Sequence, residues 1–407
     1  MTDKLQHNRH RLSRIAAVPL GLGLAIVSTM IATPPAVAQT FKLLYAYTGG
    51  TDGGSPWGTP LFTGGDIYAT AFSGGSPSSN GAGTVLEFVP IVSIGFPLYD
   101  FAGQPGDGAT PMAGVITDGN GDFFGTTTQG GFQQRGTMYE ISQGTELVIT
   151  NFNGSDGATP EGNLLMDEAG DLYGTTSQGG ANDSGTVFGF TAYGAFARLY
   201  SFGNQPGDGV GPASGLVLRV DQSTGTPYLF GTTTEGGTHN WGTVFAVNLY
   251  TRAETVLYSF QGAHDGGTPV GGLVLDTKGN VWGTTSAGGN ANGTAGNGVI
   301  FKLNIASKQY TKAHIFSGAD GSQPMAALTP DGHGNYYGTT YVGGAHGYGT
   351  VFELTSTGVL TTLYSFTNGT DGSYPYAGLG IDSSGNLYGA ATGGGQYGWG
   401  TLFEITP

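Results

Sequence analysis

Four short clusters carry the side chains best suited to hold a ligand. They are Phe132-Gln133-Gln134-Arg135, Thr238-His239-Asn240-Trp241, Ala345-His346-Gly347-Tyr348 and Gln396-Tyr397-Gly398-Trp399. An aromatic plane packs against the C–H face of a sugar ring, and neighbouring Asn, Gln and His bond its hydroxyls. Phe132, His239, Trp241, His346, Tyr348, Tyr397 and Trp399 are therefore candidate carbohydrate-binding residues. The competing reading is local packing of the same rings. Glu161 and Glu235 are the acids to test if the protein cleaves glycans, because paired carboxylates do that chemistry when folding brings them within reach.

Other chemistries find less support. The chain has no cysteine, which removes disulfides, thiolate metal sites and Cys nucleophiles. His239, His264, His314, His333 and His346 show no His-x-His or HExxH spacing, so neither a metal nor a cofactor is expected. No Gly-Lys-Ser/Thr follows the glycine pairs, and no Gly-x-Ser-x-Gly elbow joins a strand to a helix. Asp118-Gly119-Asn120-Gly121-Asp122 resembles the opening of a calcium loop but lacks the following Gly and the distant Glu.

The elements that must position these residues are announced by repetition. A Gly-Thr-Val-Phe-like run begins at Gly83, Gly136, Gly185, Gly242, Gly298, Gly349 and Gly400, spaced 49 to 57 residues apart. Each copy has the same order: a short apolar run, an Asp-x-x-Gly turn, Leu-Tyr-Gly-Thr-Thr, a Gly-Gly pair, Gly-Thr-Val-Phe, then Leu-Tyr-Ser-Phe. An Asp-Gly-x-x-Pro loop leads into the next copy, with its aspartates at Asp52, Asp107, Asp156, Asp208, Asp265, Asp320 and Asp371. Recurrence in every copy favours a turn-capping role over a cation-binding ring.

Runs rich in Val, Tyr, Phe and Thr between Gly turns read as four antiparallel strands per repeat. Four strands in about 52 residues, seven times over, predict an all-β, seven-bladed β-propeller. A β-solenoid is the competitor, since it also tolerates Gly-rich turns. The sequence starts on a fourth-strand pattern, Leu43 to Tyr47, and ends on a third-strand pattern, Gly400 to Ile405. Residues 41–48 are therefore expected to complete the last blade and close the ring. Alternating strand direction puts the variable clusters and the Asp-Gly loops on one face. The longest variable stretch is Asn290 to Asn297.

The combined order of these motifs resembles the GloVer tandem-repeat family of exported bacterial proteins, over essentially all of residues 41–405. The resemblance implies an exported protein with a varied surface anchor. It implies no activity, so no catalytic residue carries over. Because the sequence stops at Pro407, just past the last strand, a released rather than anchored protein is expected.

Residues 1–38 read as an export leader. Lys4, Arg9, Arg11 and Arg14 precede an apolar stretch from Ile15 to Ile31, and Ala36-Val37-Ala38 gives a small-x-small cleavage site. An uncleaved anchor is the alternative. Cleavage removes four of the 13 basic groups and one of the 28 acidic ones, leaving a formal charge of −18 on residues 39–407. That field opposes nucleic acid and anionic lipid. A secreted or periplasmic monomer is expected, free of the membrane once cleaved. Its first expected role is a binding module for carbohydrate or a cell-surface protein. A polysaccharide hydrolase or lyase and a structural matrix protein are the alternatives.

Overall fold

The computed structural model describes residues 39–76, 78, 80–290 and 296–407. The expected leader lies outside them, as does most of the Asn290–Asn297 stretch. The described chain is all-β: seven antiparallel sheets of four strands, the first carrying an added short strand at Gly54–Pro56, form a seven-bladed propeller. Blade 3 shows the plan, with Leu165–Met166 innermost, then Leu172–Thr176, Thr186–Phe190 and Phe196–Ser201 outermost. Seven radial sheets rather than one continuous coil exclude the solenoid.

Each sequence signature now has a physical cause. The second Thr of Leu-Tyr-Gly-Thr-Thr bonds the Thr of Gly-Thr-Val-Phe across the sheet, as in Thr176–Thr186 (2.8 Å) and Thr340–Thr350 (2.8 Å). The first Thr reaches the neighbouring blade: Thr175 donates to the Ser214 carbonyl and Thr339 to that of Ala377, both at 2.8 Å. The closing Phe of one blade meets the Gly-Thr-Val-Phe ring of the next edge-to-face, for example Phe202–Phe245 at 4.9 Å and Phe366–Phe403 at 5.2 Å. The buried apolar side chains accordingly form seven clusters, one at each blade–blade seam.

Ring closure follows the sequence expectation. Thr40–Ala46 pairs antiparallel with Thr401–Thr406 and so becomes the outer strand of blade 7. Tyr47, fully buried, lies in the cluster that joins blade 7 to blade 1. Every blade carries a register shift between its third and outer strands, as at Val187/Phe188 and Leu43/Tyr45. A bulge at this place adds twist, and each propeller blade is a strongly twisted sheet.

Candidate functional site

The Asp-Gly-x-x-Pro loops build the central mouth of the ring. The residue before each Pro has a left-handed backbone: Ser55, Thr110, Thr159, Gly211, Thr268, Gln323 and Tyr374, with φ between 52 and 66°. For a non-glycine residue that costs on the order of 1–3 kcal/mol. The strain is offset by a latch. Each of these N–H groups donates to the preceding blade, such as Ser55 to the Trp399 carbonyl (2.7 Å) and Thr268 to that of Trp241 (2.9 Å). The latch aims the residue after the Pro into the mouth. That position holds Trp57, Met112, Glu161, Ala213, Val270, Met325 and Tyr376, around a cavity of about 210 Å³ lined by all seven blades.

The mouth has two unlike sides. Trp57 and Tyr376 stand 4.6 Å apart, Phe72 lies 5.4 Å beyond Trp57, and Tyr341 lies 6.1 Å beyond Tyr376. Tyr374 and Tyr348 extend this row of rings outward to the variable loop of blade 6 (5.3 and 5.7 Å). Across the ring, Glu161 accepts a hydrogen bond from Ser177 Oγ at 2.8 Å. Burial holds the Glu161 carboxyl above its ordinary range, and the Ser177 bond opposes that shift. Burial, then the Glu161 carboxylate and Tyr341, push the Tyr376 hydroxyl up to about 12.

The variable-loop candidates sit on the rim. Trp241 and Trp399 are 41% and 44% exposed, so each indole has one covered and one open face. The covered face lies on glycine backbone of the next blade. A Cβ on Gly262 would come within 2.5 Å of the Trp241 ring, and one on Gly49 within 2.4 Å of the Trp399 ring. A rim pocket of about 380 Å³ gathers Glu235, His239, Asn240, Trp241 and Thr268. Tyr397 is exposed beside Trp399, and His346 is exposed next to Tyr348. Phe132, 71% exposed, stands apart near Gly106 in blade 2. The structure therefore unites Glu235, His239 and Trp241 but separates Glu235 from Glu161, which lines the mouth. Trp57, Phe72, Tyr341, Tyr374 and Tyr376 escaped sequence reasoning. For Trp57 and Tyr376 a signal was available: the position after each repeated Pro varies from blade to blade.

The recurring aspartates are turn caps. Asp208 accepts from the Tyr200 hydroxyl (2.9 Å) and the Asn204 N–H (3.0 Å), and Asp371 does the same with Tyr364 (3.1 Å) and Thr367 (2.8 Å). Asp118 caps its hairpin through the N–H groups of Asn120 (2.8 Å) and Asp122 (3.3 Å). Among the described residues no group of three His, Asp or Glu side chains is arranged to hold a metal. No described helix is long and apolar enough to cross a membrane.

Solved propellers share the fold at low identity. The extracellular domain of a putative one component system from B. thetaiotaomicron aligns with TM-score 0.56 and 10% identity, over 90% of this chain and 40% of that one. A GH74 enzyme from Niastella koreensis gives TM-score 0.56 and 14% identity, over 86% and 52%. An oligogalacturonate lyase from Vibrio parahaemolyticus gives 0.50 and 10%, over 91% and 97%. The chain thus spans about half or less of the first two. No curated protein matches the sequence. These likenesses show architecture alone. The repeat itself is more specific: the Gloeobacter/Verrucomicrobia repeat matches residues 31–228 and again 228–407. With the repeated signatures accounted for seam by seam and the match running from residue 31 to the end, this chain belongs to the Gloeobacter/Verrucomicrobia repeat family.

Proposed function

We propose that this propeller is an exported binding module that holds carbohydrate, free or on a cell-surface partner, on its variable-loop face. The observation that carries the reading is the pair of half-covered indoles. Trp241 and Trp399 break the repeat, rest on glycine backbone and leave one flat face to solvent. A fixed aromatic plane loses little entropy when a sugar ring stacks on it. Beside Trp241, His239, Asn240, Glu235 and Thr268 supply hydrogen-bonding groups for hydroxyls.

The test is a glycan array and titration calorimetry with protein recovered from the medium, whose intact mass is expected to begin at Gln39. Saturable binding should fall about tenfold or more in Trp241→Ala or Trp399→Ala, without loss of melting temperature. Absence of binding to every glycan would sink the reading. Release of reducing ends, lost in Glu235→Gln, would replace it with a hydrolase or lyase.

A further inference from the structure

The mouth of the ring departs from sevenfold symmetry in a patterned way. The rings Tyr341, Tyr374, Tyr376, Trp57 and Phe72 all fall in the adjoining blades 6, 7 and 1, whereas Glu161 and Ser177 come from blade 3 across the mouth. A second observation picks out the same blades. Thr70, Thr175, Thr232, Thr284 and Thr339 each donate from the second strand to a carbonyl of the next blade's inner segment. This girdle lapses twice. Thr126, which faces blade 3, is fully buried with its hydroxyl unpartnered, and Ala390 stands in the slot that faces blade 1. The two seams that forgo the bond lead to the blades that carry Glu161 and Trp57.

We propose that the channel mouth is a second binding site, separate from the rim, which takes the terminal ring of a neutral glycan end-on, with its C–H face on Trp57 and Tyr376 and its hydroxyls toward Glu161. The ligand class rests on the carbohydrate reading of the rim; the site does not. At about 210 Å³ the cavity is smaller than the roughly 300 Å³ at which drug-sized pockets begin, so it accepts one ring and not a chain segment. A pyranose has one apolar face and a polar edge, as the mouth does. Among the described residues Glu161 is the one carboxylic acid lining it, and the chain is strongly acidic, so a uronate is disfavoured. Backbone contact between inner segments makes the wall rigid: a Cβ on Gly162 would lie 2.4 Å from the Ser214 carbonyl carbon.

The repeats supply substitutions the fold already tolerates. Met occupies the Trp57 position in blades 2 and 6, and Ala occupies the Glu161 position in blade 4. The full chain is titrated with methyl glycosides of glucose, galactose, mannose and rhamnose, and with galacturonate, by calorimetry and tryptophan fluorescence. At least one neutral glycoside should bind saturably in the millimolar range, about tenfold more weakly in Trp57→Met and in Glu161→Ala. Glu161→Gln should restore most of the affinity, and the same order should hold when every titration is repeated in the Trp241→Ala/Trp399→Ala background, where the rim planes are gone. Galacturonate should bind about tenfold more weakly than the best neutral ring. No saturation by any glycoside, binding indifferent to Trp57→Met and Glu161→Ala, or a preference for galacturonate would each overturn the proposal. A longer oligosaccharide unaffected by the double variant would instead remove the rim reading and leave the mouth standing.

Discussion

Glu146 and Glu254 are two side chains at which local chemistry conflicts with the fold. They stand in the first two positions of the outer strands of blades 2 and 4, in the slot where blades 3, 5 and 6 place Phe196, Tyr310 and Leu360. Each carboxyl is pressed against the preceding Asp-Gly loop. Glu146 Oε1 is buried without a hydrogen-bond partner, and both Glu254 oxygens are buried beside Gln205. Burial, then Asp107, pushes Glu146 up to about 8. Burial, then Asp208, pushes Glu254 up to about 7, with the Gln205 hydrogen bond and then Lys308 opposing. A carboxyl raised in the fold contributes stability that is fully present below the ordinary carboxyl range and is lost as pH climbs through 7 to 8. The melting temperature should therefore decline from pH 5 to pH 9. Glu146→Leu and Glu254→Leu should flatten that decline and stabilise the protein at pH 9 by about 1–2 kcal/mol each, after allowance for partial solvent screening. Equal melting temperatures for variant and parent at pH 9 would contradict this account.

At the scale of the element, the critical joint is between the Gly of Gly-Thr-Val-Phe and the Pro of the following loop. Gly185 has φ +92°, and a Cβ there would lie 2.4 Å from the Thr176 carbonyl oxygen and 2.5 Å from Pro212 Cδ. Gly83 meets Pro111 and Gly400 meets Pro56 in the same way, so the joint recurs around the ring and across its closure. Gly185→Ala combines a strained backbone with a backbone clash. It should destabilise the fold by about 2–4 kcal/mol in urea or thermal unfolding. Ala at Gly119, where nothing lies within 4 Å of the added atom, meets only the backbone strain and should cost less. The comparison separates clash from conformation.

For the molecule as a whole, the ring stands on one seam that is not made by consecutive chain. Thr40–Ala46 covers the edge of Thr401–Thr406, and Phe41 stacks on Tyr364 at 4.1 Å while Tyr47 fills the blade 7–blade 1 cluster. A chain beginning at Thr51 forfeits these contacts. At roughly 1.5–3 kcal/mol per large buried side chain, it should lose about 5 kcal/mol or more and expose a sheet edge that promotes aggregation. An unchanged melting temperature would show that the seam contributes nothing. The repeat count, the strand order, this closure and the turn-capping aspartates could all be read from the sequence, because each depends on a signature that local geometry demands again in every blade. The candidate rim residues were legible as departures from that repetition. The sequence could not say that Trp241 and Trp399 would lie on glycines of the next blade, that Glu161 and Glu235 would fall in different pockets, or that Trp57 and Tyr376 would meet. Those outcomes depend on distances between residues up to 319 positions apart, set only when seven sheets close around one axis.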